Sequence, residues 1–93
     1  MNIVFIGAGR LATNLAVELY NKSFTIVQVY SRTLESARLL GDKVNAPATN
    51  NTDGIVTDAD LYIFAVKDSV LAELVTNVPA NQGLWVHTSG SIS

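Results

Sequence analysis

Gly7-Ala8-Gly9-Arg10-Leu11-Ala12 follows directly on the apolar run Ile3-Val4-Phe5-Ile6 and opens an amphipathic pattern. A G-x-G-x-x-A between a strand and a helix constrains this chain more than any other feature, because each small residue answers a separate steric demand. A strand that reverses tightly into a helix needs a residue free in φ and ψ, which suits Gly7, and a phosphate approaches the backbone at Gly9 only where no Cβ stands. Ala12 replaces the third glycine, small enough for helix and strand to pack closely. The first helical turn has unpaired N–H groups and the positive end of the helix dipole, so it holds an anion without a dedicated basic side chain. The stretch reads as a dinucleotide pyrophosphate site. A plain glycine-rich turn is the alternative, and the strand before it and the helix after it weigh against that.

Strand and helix patterns alternate from there. Asn2–Ile6 reads as a buried strand; Leu11, Leu15 and Leu19 with Ala12 and Ala16 form one apolar stripe, while Asn14, Glu18, Asn21 and Lys22 face water. Thr25–Tyr30 is the next strand, and Thr33 caps a short helix through about Leu40 that Gly41 stops. Ala46–Thr49 is a candidate third strand, and Asn50–Gly54 a turn or helix entry. Asp60–Val66 reads as a strand buried on both faces, and Asp68 or Ser69 caps a helix carrying Val70, Leu71, Leu74, Val75 and Val78 before Pro79 ends it. Leu84–His87 is the last strand. This alternation predicts an α/β fold, a doubly wound parallel sheet of order 3-2-1-4-5 with right-handed crossovers.

Ninety-three residues make one small domain, and a hydrophobic content of 48% supports a packed core. The net charge of −2, without any basic cluster, gives no electrostatic support for nucleic-acid or anionic-membrane binding. Cysteine is absent, which excludes disulfides, thiolate metal sites and cysteine nucleophiles. No metal site is expected. The longest apolar run, Leu61–Val66, is far too short to cross a membrane, and the expectation is a soluble cytoplasmic domain. The polar end His87-Thr88-Ser89-Gly90 and beyond follows a strand, where a doubly wound fold places a ligand-facing loop and then another element. Residues 1–93 are therefore expected to form a truncated dinucleotide-binding domain.

At the end of the second strand an NAD site carries Asp or Glu against the ribose hydroxyls. Here the stretch is Tyr30-Ser31-Arg32-Thr33, with no acid before Glu35. Arg32 is suited to a 2′-phosphate in a charge-assisted fork, with the Ser31 and Thr33 hydroxyls as further donors, which favours NADP over NAD. A solvated Arg32 and a helix-capping Thr33 are the plainer alternatives, and an exposed Arg10 at a helix start weighs equally with one lying along the pyrophosphate. Ala65, Val66 and Lys67 end the fourth strand beside the point where strand order reverses, the crevice in which such sheets bind ligands. Ala65 and Val66 are candidates to border adenosine or ribose; Lys67 reaches a ligand or is simply solvated. His87, Thr88 and Ser89 hold the equivalent place after the fifth strand, near the expected nicotinamide. His87 is the single histidine, and a packed, hydrogen-bonded imidazole competes with proton transfer. Asp58 and Asp60 precede their strand, at the wrong end for an acid/base pair. No catalytic residue is assigned.

Gly7–Ala12, Val29-Tyr30-Ser31-Arg32-Thr33, Asp58-Ala59-Asp60-Leu61-Tyr62-Ile63 and His87-Thr88-Ser89-Gly90-Ser91 occur in one order. Together they resemble the N-terminal Rossmann-like domain of NADP-dependent oxidoreductases related to the deazaflavin-dependent NADP reductases and to pyrroline-5-carboxylate reductase. The nearest branch has two domains, the second similar to that of 6-phosphogluconate dehydrogenase. The resemblance implies NADP at Gly7 to Ala12, its 2′-phosphate at Ser31, Arg32 and Thr33, and a cofactor crevice bordered by Val66, Lys67 and the turn from His87 to Gly90. Relatives often carry Asn in place of Arg10. It also implies a second domain with the substrate contacts and a homodimer interface.

The expected function is NADP(H) binding in an oxidoreductase that moves hydride to or from a small imine or carbonyl, the isolated domain being inactive. A non-catalytic NADP(H) sensor and a Rossmann-like module for protein association are the alternatives.

Overall fold

The structure, a computed structural model, describes residues 1–88. Its elements are β1 (Asn2–Ile6), α1 (Arg10–Asn21), β2 (Thr25–Tyr30), α2 (Leu34–Val44), β3 (Ala48–Thr49), a single 3₁₀ turn (Thr52–Gly54), β4 (Leu61–Phe64), α3 (Asp68–Asn77) and β5 (Leu84–His87). All strands pair in parallel, in the order β3-β2-β1-β4-β5 that the alternation of patterns predicts.

Alternate residues of β1 feed two separate cores. Ile3 and Phe5 join Ile26, Val29 and Ile63 beneath Ala12 and Ala16 of α1 and Ala37, Leu40 and Val44 of α2. Val4 and Ile6 join Tyr62 and Phe64 beneath Leu74 of α3 and Val78, with Ile55 and Ala59 from the β3–β4 crossover. Burial on both faces is why β1 and β4 carry no polar alternation. In α1 only Ala12 and Ala16 are fully buried, while Leu11, Leu15 and Leu19 flank them half-buried. The helix therefore rests on its alanines, close to the sheet. One buried polar side chain, Gln28, ties the crossover to β2: its Nε2 donates to Gly54 O at 2.8 Å, and its Oε1 accepts from Val56 N at 2.9 Å.

Four boundaries differ from the sequence expectation. Helix α2 does not stop at Gly41 but runs through it to Val44, ending at Asn45 in the left-handed region (φ 56°). Gly41 is buried, and a Cβ there would stand 2.5 Å from Ala46 O. The glycine serves the close return of the chain into β3, where Ala46 N donates to Gly41 O at 2.9 Å. Gly41→Ala is thus expected to destabilise by about 1 kcal/mol, overpacking outweighing the helix propensity gained, as urea denaturation would measure. The third strand shrinks to Ala48–Thr49. Pro47 lacks an N–H and contributes only its carbonyl, which accepts from Val29 N at 2.9 Å. Helix α3 is capped at Lys67 rather than Asp68 or Ser69, with no side-chain cap bond, and Val75 lies outside the core. Strand β4 ends at Phe64, so Ala65 and Val66 lie in the loop beyond it, although Ala65 N still donates to Ile6 O at 2.9 Å. Among the described residues no helix is long and apolar enough to cross a membrane.

Candidate functional site

The carboxyl end of β1 turns at Gly7, whose φ of +111° is the left-handed side open to glycine. Gly7 N donates to Tyr30 O at 2.7 Å, which locks the turn to the end of β2. A Cβ on Gly7 would stand 2.4 Å from Ala65 O and 3.0 Å from Val66 Cγ1. The loops after β1 and β4 are thus in direct backbone contact, and the fold itself demands this glycine.

Gly9 is different. It is the N-cap of α1 with an ordinary φ of −76°, and nothing stands within 4 Å of where its Cβ would be. No side chain caps the helix, and the first turn holds no acidic residue. The first backbone bond into the helix is Thr13 N to Gly9 O, 2.9 Å, so the amides of Arg10, Leu11 and Ala12 have no partner within it. Helices α2 and α3 instead carry Glu35 and Asp68 in their first turns.

Two clefts flank this terminus. One, of about 190 Å³, is lined by Gly7, Ala8 and Gly9, by Tyr30, Ser31 and Arg32 after β2, by Ala65, Val66 and Lys67 after β4, and by Val70 and Leu74 of α3. The other, of about 310 Å³, lies between Gly9–Ala12 and Ala65–Lys67. Their charged lining residues are Arg10, Arg32 and Lys67, half of the chain's six cationic side chains, with no carboxylate among them. In a chain of net charge −2 this concentrates positive potential at one end of the sheet. A third cleft, of about 480 Å³, opens at the other end beside Asp58 and Asp60. It has no free helix terminus, and Asp60 Oδ2 already accepts from Asn2 N at 2.8 Å.

The structure therefore brings together Gly7, Ala8, Gly9, Arg10, Leu11, Ala12, Ser31, Arg32, Ala65, Val66 and Lys67. Thr33 lines neither flanking cleft; it is the N-cap of α2, and its hydroxyl donates to Ser36 Oγ at 2.8 Å. His87 and Thr88 also stand outside both clefts, with His87 Nε2 2.9 Å from Val66 O. Ser89 lies outside the described residues. The sequence reading did not single out Tyr30, Val70 and Leu74 as site residues. Their signal was present in part, since Val70 and Leu74 are one helical turn apart on the helix that follows Lys67.

A parallel sheet of this order, with an uncapped helix at its central strand and cations around the crevice where strand order reverses, defines a doubly wound dinucleotide-binding domain. The chain belongs to the family described as NADP oxidoreductase, coenzyme F420-dependent, whose profile matches residues 2–86. Membership makes it a dinucleotide-binding domain of the NADP oxidoreductase type, with NADP(H) as cofactor.

Among solved structures, a protein assigned as an NADP oxidoreductase from Bacteroides fragilis is 53% identical, with a TM-score of 0.91 over 98% of this chain and 37% of that one. Prephenate dehydrogenase from A. aeolicus, solved with hydroxyphenyl propionate and NAD+, shares the fold at 15% identity and TM-score 0.81, over 96% of this chain and 33% of that one. A pyrroline-5-carboxylate reductase from Coxiella burnetii shares it at 23% identity and TM-score 0.76, over 99% and 36%. The chain thus spans about a third of the length of these proteins. No curated protein sequence matches it.

Proposed function

We propose that the chain is the NADP(H)-binding part of an oxidoreductase that transfers hydride between the cofactor and a small imine or carbonyl. Gly9 carries this reading. Its φ is ordinary and no protein atom crowds its missing Cβ, so nothing in the fold requires a glycine there. An anion drawn up to the three unpartnered amides of α1 does require one.

In this reading Gly7, Ala8, Gly9, Arg10, Leu11 and Ala12 hold the pyrophosphate, and Ser31 and Arg32 take the 2′-phosphate with Thr33 beside them. Tyr30, Val70 and Leu74 wall an apolar slot for the adenine. Ala65, Val66 and Lys67 border the ribose, and the end of β5 at His87 and Thr88 lies toward the nicotinamide half. The cofactor supplies or accepts the hydride; the protein binds and orients it. Similarity to pyrroline-5-carboxylate reductase supports the imine or carbonyl class. The greater length of the relatives supports a second domain with substrate contacts and a homodimer interface. The setting proposed is cytoplasmic.

Gly9→Ser tests the assignment because stability and binding should move in opposite directions. The serine hydroxyl caps α1 and is expected to preserve or slightly raise the melting temperature. Its side chain fills the anion space and is expected to weaken NADPH binding about tenfold, the loss of one charge-assisted contact. Fluorescence titration against NADPH and a melting curve read both. Absence of saturable NADPH binding by the wild type, or unchanged binding by the variant, would sink the reading.

A further inference from the structure

We infer that His87 is a positioning residue for the cofactor clefts, acting through the Val66 peptide without lining the clefts itself. Val66 borders both of them. Its segment is held on one side by the end of β1 and the turn after it: Ala65 N donates to Ile6 O at 2.9 Å, and Gly7 leaves no room between the two backbones. On the other side stands His87, whose Nε2 is 2.9 Å from Val66 O. Strand pairing holds the His87 backbone beside β4, since Phe64 is opposite His87 in the β4–β5 register and Thr88 N donates to Phe64 O at 3.0 Å. Among the described residues no other side chain hydrogen-bonds the backbone of residues 65–67.

Val66 O only accepts, so this hydrogen bond requires the proton on Nε2. Asp68 Oδ1, at the start of α3, stands 3.5 Å from the same nitrogen. An imidazole whose Nε2–H is committed to a carbonyl does not take a proton from substrate at that nitrogen. Its effect on a nucleotide is geometric: it sets where Val66, and Lys67 after it, stand against Gly7 and Gly9.

This inference rests on the NADP(H) reading of the clefts. The test compares NADPH and NADH dissociation constants for the wild-type chain, His87→Ala and His87→Gln, with a melting curve for each. His87→Ala is expected to weaken both nucleotides about three- to fivefold, as for one neutral hydrogen bond, leaving the NADPH:NADH ratio unchanged because the 2′-phosphate is not involved. His87→Gln, whose amide N–H donates in place of Nε2–H, is expected to return both constants to within about twofold of wild type. Nitrogen NMR of the wild-type imidazole gives a second readout that needs no variant: Nε2 protonated, with the bond kept on saturation with NADPH.

Wild-type affinity in His87→Ala, no rescue by glutamine, a changed NADPH:NADH ratio in His87→Ala, or an Nδ1–H tautomer each overturns the role of His87 while leaving the cofactor reading intact. A wild-type chain that binds no NADPH overturns both.

Discussion

Gly7→Ala is expected to lower the stability of the fold by about 3 kcal/mol, the sum of a strained backbone and a steric collision that cannot relax cheaply. At φ +111° alanine pays the first cost. The collision is with Ala65 O, 2.4 Å from the new Cβ, and this carbonyl belongs to a residue whose N–H is bonded to Ile6 O. Moving it away pulls the β4–α3 loop off the end of β1. Chemical denaturation reads the loss directly, and wild-type stability in the variant would show that the turn has another conformation open to it. Gly7 and Gly9 thus separate two demands that the motif merges: one glycine serves the fold and the other the ligand.

Arg32→Ala is expected to abolish most of the preference for NADPH over NADH, weakening NADPH about thirtyfold and NADH by less than twofold. The magnitude is that of charge-assisted hydrogen bonds to a phosphate, partly screened because Arg32 is exposed. Paired titration of wild type and variant measures it. A preference that survives the substitution would remove Arg32 from the 2′-phosphate site and leave Ser31 as the remaining cleft-lining donor after β2. The contrast with His87→Ala is diagnostic: one substitution changes the ratio of the two affinities, the other changes both together.

Much of the architecture was legible because burial on both faces writes unbroken apolar runs. Ile3–Ile6 and Leu61–Phe64 are such runs, and the spacing of Leu11, Ala12, Leu15, Ala16 and Leu19 is helical. Local rules failed where the deciding contact was tertiary. Gly41 looks like a helix stop until Ala46 O is placed beside it. Gln28 carries no mark of burial within Thr25–Tyr30, because its partners Gly54 and Val56 come from a crossover more than 20 residues away. The glycine motif and the cations of the site were readable by the same logic, since strand ends are fixed by the runs before them. Tyr30, Val70 and Leu74 line the cleft through the packing of α3 on the sheet, which no single segment encodes.

Strand β1, the first regular element of the chain, is also the middle of the sheet. Its partners begin at Thr25 on one edge and Leu61 on the other. Folding therefore waits on closures over long stretches of chain, a topology that slows the search for the native state. Until residue 64 exists, Ile3, Val4, Phe5 and Ile6 have one open edge, so the nascent chain carries a sticky, strand-prone segment until β4 is made. The strand that orients the glycine turn is thus made before the two partners that secure it, β2 and β4.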